Sequence, residues 1–329
     1  MPEPPSSQPP SRPDVVPAGL PSTALGVMSG APAGGEVLEG PADLQLGEAK
    51  TARAPSAAIR RLGLAFWISV GWVGLVIVVA VLANVLPLDD PNAIGSALPK
   101  ESPSLQHLLG TDALGRDIFS RIIFGARISL IVGFASIFIG MAVGGTLGVI
   151  AGFYRGPLDA LFDGVSTVAL AFPALVFLLA IVAAVGQSLL TVVVGIGILS
   201  IAPLFRIVRA NTIVYAQREF VLAARALGAK SGRIMLREIL PNVLPTALSF
   251  ALVAVAVAIV AEGALAFLGL SVRPPTPTWG GMISEGRTSL EQDALICLWP
   301  SLALFFTVLA LNFGGDRLRS FFEVREGGL

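Results

Sequence analysis

Long uncharged apolar runs alternate with short polar segments along this chain. Residues Leu62 to Leu88 and Ile128 to Tyr154 contain no Asp, Glu, Lys or Arg. Roughly 20 such residues, at about 1.5 Å rise each, cross a hydrocarbon core of about 30 Å. The run from Gly164 to Phe205 stays uncharged for 42 residues, about twice that length. Gly186-Gln187-Ser188 near its middle is a turn signal, so the run predicts a helical hairpin over 164–185 and 189–205. Between Glu238 and Arg273 only Glu262 is charged, which predicts a span over 243–272. The last run, Ala294 to Gly315, predicts another over 294–315. With the first two at 62–88 and 128–154, the pattern predicts an all-α membrane protein with six spans and both termini on one side.

Composition agrees. Apolar residues make up 54% of the 329 and charged ones 13%, about half the usual share for soluble domains. Lys+Arg and Asp+Glu both total 22, so no net field favours nucleic acid. One cysteine (Cys297) and one histidine (His107) exclude a disulfide framework and argue against a metal site of the usual His/Cys spacing. His107 reads as an ordinary loop residue. If the N-terminus is cytoplasmic, the inner segments hold sixteen of the basic residues and the outer segments six, which favours N-in, C-in. Residues 1–57, rich in Pro, Ala, Gly and Ser, read as a disordered cytoplasmic tail without the short apolar core of a signal peptide. The membrane domain then covers 58–319, and 320–329 form a second cytoplasmic tail.

Inside the spans, Ser136, Gly140, Gly144, Gly148 and Gly152 recur every four residues. They form one small-residue ridge where helix backbones approach closely. A structural seam is the expected use. Pro173, Pro203 and Pro245 predict kinks. Glu262 is expensive in a membrane and should face the bundle, paired with a hydroxyl, a backbone group or a second subunit. Trp279 and Trp299, near outer span ends, read as interfacial anchors.

The segment Glu219 to Asn242 breaks the apolar pattern. Phe220, Val221, Ala224 and Leu227 fall at helical spacing, with Arg225 off that face. Gly228 reads as a helix stop and Ser231 as the cap of a second helix, which Pro241 ends. An apolar face outside the membrane needs a partner: DNA, the lipid surface or a cytoplasmic protein. Tethering at both ends to a bilayer, with few base-reading side chains, argues against DNA.

This segment resembles the cytoplasmic EAA loop of binding-protein-dependent ABC importer permeases: E-A-A, three residues, G, nine residues, then I-x-L-P. Ala223, Ala224, Gly228, Leu240 and Pro241 match in register. Leu222 stands at the glutamate position, with Glu219 the nearest upstream acid, and Glu238 stands at the isoleucine position. "LGTDALGRDIFSRIIFGARISL", Leu109 to Leu130, is similar throughout to a block of the dipeptide/oligopeptide/nickel permeases, and carries Gly110, Thr111, Asp112, Gly115, Arg116, Asp117 and Arg121. By pattern, Asp112 can cap a helix there, and Asp117 and Arg121 stand at i and i+4. "NFGGDRLR", with Asn312 and Asp316, resembles that family's ending, although the D-P-R that usually follows is replaced by Ser320 to Val324.

The resemblance implies a type I importer permease of the C-type, in a prokaryotic inner membrane. It implies a second homologous permease, two ATPase subunits or one two-domain ATPase, and an extracytoplasmic substrate-binding protein. ATP and Mg belong to the partners; no G-x-x-x-x-G-K-[ST] occurs here. It places ATPase coupling in the loop 206–242, at Glu219, Phe220, Val221, Ala223, Ala224, Arg225, Leu227, Gly228, Leu240 and Pro241. Glu262, Gly140, Gly144, Gly148, Asn312 and Asp316 are expected to serve translocation or packing. Peptides are the first substrate class, with nickel, glutathione-like and other small solutes open. The alternative is an ATP-independent transporter or channel, which would favour inverted repeats and several intramembrane charges.

Overall fold

A computed structural model describes residues 63–95 and 97–326. The expected tail over 1–57 and the last residues, 327–329, lie outside the described residues. Apart from one isolated bridge between Thr111 and Asp117, the regular structure of the described residues is helical. In order it forms α1 (Gly63–Leu82), α2 (Ile118–Tyr154), α3 (Pro157–Ala171), α4 (Ala174–Val185), α5 (Leu189–Tyr215), α6 (Glu219–Ala226), α7 (Ser231–Phe267), α8 (Trp279–Gly286) and α9 (Leu295–Glu326). Among the described residues α1, α2, α5, α7 and α9 are long and apolar enough to cross a bilayer. The pair α3 and α4 would supply a sixth crossing, bent by 86°.

Several expected boundaries move. The third span is not one helix over 164–185: it starts at Pro157 and breaks at Phe172, whose ψ is 133°. Phe172 precedes Pro173, and the proline ring disfavours the helical region for the residue before it. By contrast, Pro203 and Pro245 are carried inside helices. The fourth span, expected to stop at 205, continues to Tyr215 because its polar end is paired: Arg209 donates to both carboxylate oxygens of Asp159 of α3 (Nε to Oδ1, and Nη2 to Oδ2 at 2.8 Å), and Arg206 donates to Thr167 at 2.7 Å. Pro241 does not end a helix. A π-helical turn over Met235–Ile239 precedes it, and such a widened turn accommodates the ring and the missing N–H. Ser231 is therefore the first residue of a 37-residue helix, and Lys230 occupies its cap position.

The small-residue ridge of α2 packs on α5. A Cβ at Gly144 would lie 2.4 Å from the Ile201 carbonyl oxygen, one at Gly148 or Gly152 would lie 2.8 Å from that of Phe205 or Arg209, and one at Gly140 would lie 2.7 Å from Ser200 Cβ. Ser136 fastens the seam by donating to the Val193 carbonyl at 2.9 Å. A second seam joins α9 to α7, where Gly315 faces the Ser249 carbonyl. In α1 the side chains of Leu64, Ile68, Leu75, Val78 and Val81 are exposed, as expected of a lipid-facing helix. Its Trp72 donates to Thr307 of α9 at 3.1 Å.

The connections gather at two opposite ends. At one, Arg155 reaches the Ile213 carbonyl (3.4 Å) and α6 packs nearby. At the other, Gln187 donates to the Gly269 carbonyl (2.6 Å) and Lys100 pairs with Gln292. By the charge distribution, the first is the expected inner end and the second the expected outer end.

Candidate functional site

At the inner end, α6 is an eight-residue helix with a single fully buried side chain. Val221 is 0% exposed and belongs to a buried cluster that also includes Ile234, Ile239 and Val243 of α7, Val208 and Tyr215 of α5, and Phe153 of α2. Burying such a side chain contributes roughly 1.5–3 kcal/mol. Ala224 is half-buried in the same cluster, and the Arg225 guanidinium lies 5.1 Å over the Phe153 ring. The face expected to be continuous therefore splits. Val221 and Ala224 turn inward, while Phe220, Leu222 and Leu227 stay exposed, Leu227 at 88%, with Glu219, Ala223 and Ala226 between them.

Gly228 stops α6 as expected, with φ +78°. Its N–H binds the Arg225 carbonyl (2.9 Å) and that of Ala229 binds Ala224 (3.0 Å), the paired bonds of a Schellman motif. Leu240 is half-buried and Pro241 exposed, both inside α7. Glu238 departs from the motif, and the next residue, Ile239, takes the buried place at 0% exposure. Since α5 and α7 claim the flanks, the loop expected over 206–242 shrinks to 216–230.

At the outer end, Gly110 to Asp117 is a fixed loop and helix α2 starts at Ile118. The cap is Asp117, not Asp112: its Oδ2 accepts the Ser120 N–H at 2.7 Å. Asp112 instead accepts the N–H groups of Leu114 (2.8 Å) and Arg116 (3.0 Å) and binds Arg116 Nε at 2.6 Å. Arg121, 1% exposed, turns away from Asp117. Its Nη1 donates to the Pro91 carbonyl (3.0 Å), its Nη2 to Glu285 of α8 (3.0 Å), and its Nε lies 3.6 Å from Asp112. Arg116 Nη2 also binds Glu285, at 2.7 Å. Two arginines and two carboxylates thus balance around a cavity of about 330 Å³, locking this block to α8. Glu285 lies 164 residues from Arg121, and no local pattern marks it. Thr111 is fully buried, donating to the Leu98 carbonyl at 2.6 Å. Gly110 and Gly115 have positive φ, and a Cβ on either would lie 2.4 Å from a carbonyl oxygen.

Glu262 is 0% exposed, in the last two turns of α7. Its Oε1 accepts two hydroxyl hydrogens, from Ser271 (2.5 Å) and Thr278 (2.8 Å). Of the partners expected, the hydroxyls are the ones found, and they come from the outer loop of the same chain. Trp279 is not an interfacial anchor: it is 1% exposed, donates Nε1 to the Ile122 carbonyl (3.0 Å) and its backbone N–H to Ser129 (3.1 Å). Trp299 is half-buried against a small cluster of Ile118, Met282 and Ile296. Nor is His107 an ordinary loop residue, since its Nδ1 lies 3.1 Å from Asp117 and 3.9 Å from Asp89. Asn312 donates to the Val308 carbonyl of its own helix (2.8 Å), and Asp316 is exposed. They are not brought to Glu262. The neighbouring Gly315 packs at Val253, roughly 13 Å along α7 from it. That ending binds α7 through Gly315 and through Arg319, which lies 4.7 Å over the Phe250 ring.

Residues 144–326 match the family described as binding-protein-dependent transport system inner membrane component. The chain is 41% identical over 246 residues to the glutathione transport system permease protein GsiD of Pectobacterium atrosepticum, covering 74% of this chain and 82% of that one. It is 40% identical over 255 residues to the same-named protein of Escherichia coli O157:H7, covering 77% and 84%. Among solved structures it is similar to the MetNI methionine ABC transporter in inward-facing conformations, with TM-scores of 0.51 and 0.52 at 18% identity. These matches cover 61% and 62% of this chain and 96% and 97% of those chains. At that identity the likeness is one of fold, and it is the type I importer permease fold. None of these observations favours an ATP-independent carrier. The chain belongs to the binding-protein-dependent transport system inner membrane components: it is a multi-pass permease subunit of an ABC importer, a transporter component and not an enzyme.

Proposed function

We propose that this chain is the C-type permease of an importer for short peptides of the glutathione kind. It pairs with a second homologous permease, receives a substrate-binding protein at its outer end, and is driven by two ATPase subunits, or one two-domain ATPase, docked on α6. ATP and Mg are held by those partners. The substrate class rests on relatives named as glutathione transport permeases. The sidedness, with α6 cytoplasmic, rests on the sixteen-to-six distribution of basic residues.

One observation carries the coupling role: α6 buries Val221 in a cluster drawn from three spans yet leaves Phe220, Leu222 and Leu227 exposed. A motor that grips the outer side chains moves the helix, and the buried valine passes that motion to α2, α5 and α7. Weighted by exposure, the three side chains offer roughly 3–5 kcal/mol on burial. Turning a two-state equilibrium from 1:99 to 99:1 takes about 5.5 kcal/mol. One loop falls just short; one on each of two permeases suffices.

Leu227→Asp tests this in the assembled importer. The variant should remain in the membrane with an unchanged melting temperature while its affinity for the ATPase falls by about tenfold or more, as read by co-purification, and transport falls with it. Val221→Asp should instead lower the yield of folded protein, because it buries a charge. Full ATPase retention and transport in Leu227→Asp would refute docking through this face.

A further inference from the structure

We propose that Asp89, His107 and Asp117 form a binding site for a borderline divalent metal ion at the outer end of the bundle. Their ligand atoms all lie within 4.8 Å of one another. Zinc binds imidazole nitrogen and carboxylate oxygen at about 2.0–2.2 Å, so neighbouring ligand atoms in a tetrahedral site stand roughly 3.3–3.6 Å apart. The edge from His107 Nδ1 to Asp117 Oδ1, at 3.1 Å, falls slightly short of that range, and Asp89 Oδ2, at 3.9 Å from Nδ1, lies slightly beyond it, so small movements bring both to it.

His107 Nδ1 and Asp117 Oδ1 are hydrogen-bonded to each other at 3.1 Å, so a metal ion would take the place of the proton between them, and other contacts hold the three residues in position. The Ser120 N–H occupies the second oxygen of Asp117, and the Ser120 hydroxyl fixes the Asp89 carbonyl at 2.5 Å. The His107 loop is closed by bonds to its carbonyl from Ser104 (2.8 Å) and Gly110 (2.9 Å). Electrostatics asks for a cation. Two carboxylates converge on one ring nitrogen, which carries at most one proton and is 3.9 Å from Asp89, beyond hydrogen-bond reach. Arg127 lines the adjacent cavity of about 570 Å³ and makes no ion pair with either carboxylate. That cavity also opens beside Asp89, leaving room for water or a further ligand on the ion. One imidazole with two carboxylates suits zinc, nickel or cobalt better than magnesium or calcium. A bound ion would tie the segment after α1 and the His107 loop to the first turn of α2.

The sequence makes the test selective, because the chain holds one histidine and one cysteine, and Cys297 is buried. The full-length permease, without a histidine tag, is titrated with zinc by calorimetry and with cobalt by visible absorption. One equivalent of each should bind, with affinity reduced about tenfold or more in both His107→Gln and Asp89→Asn. Asp89→Asn is the safer variant, since that side chain is 59% exposed and caps no helix. Zinc should also raise the melting temperature of the wild type and not of Asp89→Asn. Absence of saturable binding overturns the proposal. So does binding that survives both substitutions, which marks an adventitious ion only, or binding that needs His107 but is indifferent to Asp89.

Discussion

Gly144→Ala is the sharpest test of the packing between α2 and α5. The added methyl would sit 2.4 Å from the Ile201 carbonyl oxygen, 3.1 Å from the Phe205 nitrogen and 3.2 Å from the Ile201 carbonyl carbon. All three are backbone atoms, so no rotamer change relieves the contact and the helices must part by roughly 1 Å. Separation of that size loosens the whole ridge, because Gly148 meets the α5 backbone and Gly140 the Ser200 and Leu204 side chains about one turn to either side. Overpacking costs about 1–3 kcal/mol, and in a domain of this size each kcal/mol lowers the melting temperature by about 2–4 °C. The expected fall is therefore about 2–12 °C. Cys297, the single cysteine and a buried one, lets a fluorogenic maleimide report the melt in detergent. Gly74→Ala is the matched control, since a Cβ there meets nothing within 4 Å and alanine favours a helix by about 1 kcal/mol. If Gly144→Ala melts with the wild type, the seam is not close-packed and the reasoning fails.

Two further outcomes use the same assay. Glu262→Gln should melt close to the wild type, because an amide oxygen still accepts the Ser271 and Thr278 hydroxyls. Glu262→Ala strands both and should cost about 1–3 kcal/mol for each, so equal melting of the two variants would show that the bonds are dispensable. Arg121→Lys keeps the charge but cannot reach the Pro91 carbonyl, Glu285 and Asp112 with one nitrogen. It should lower the melting temperature and quicken proteolysis between residues 83 and 117, and unaltered cleavage would exclude a clamping role for that network.

Five of the crossings, the helical class and the importer-type motifs were legible in the sequence because each depends on neighbours along the chain. Lipid demands about 20 apolar residues in a row, and a four-residue glycine repeat places one face of one helix. Gly228 as a stop was equally local, since a single backbone conformation decides it. The break at Phe172 was half legible, as proline marks a kink without its angle.

What the chain folds against was not local. Val221 and Leu227 look alike as apolar residues on one short helix, but only the arrival of α7 and α5 buries the first and leaves the second outside. The same holds for Trp279, which reads as an anchor until Ile122 and Ser129 claim it, and for Arg121, whose partner Glu285 lies on another helix. His107 gains its two carboxylates from segments 10 and 18 residues away in opposite directions. Sequence periodicity states which side chains share a face. Which faces meet depends on helix packing across the bundle, and that is a property of the assembled tertiary structure.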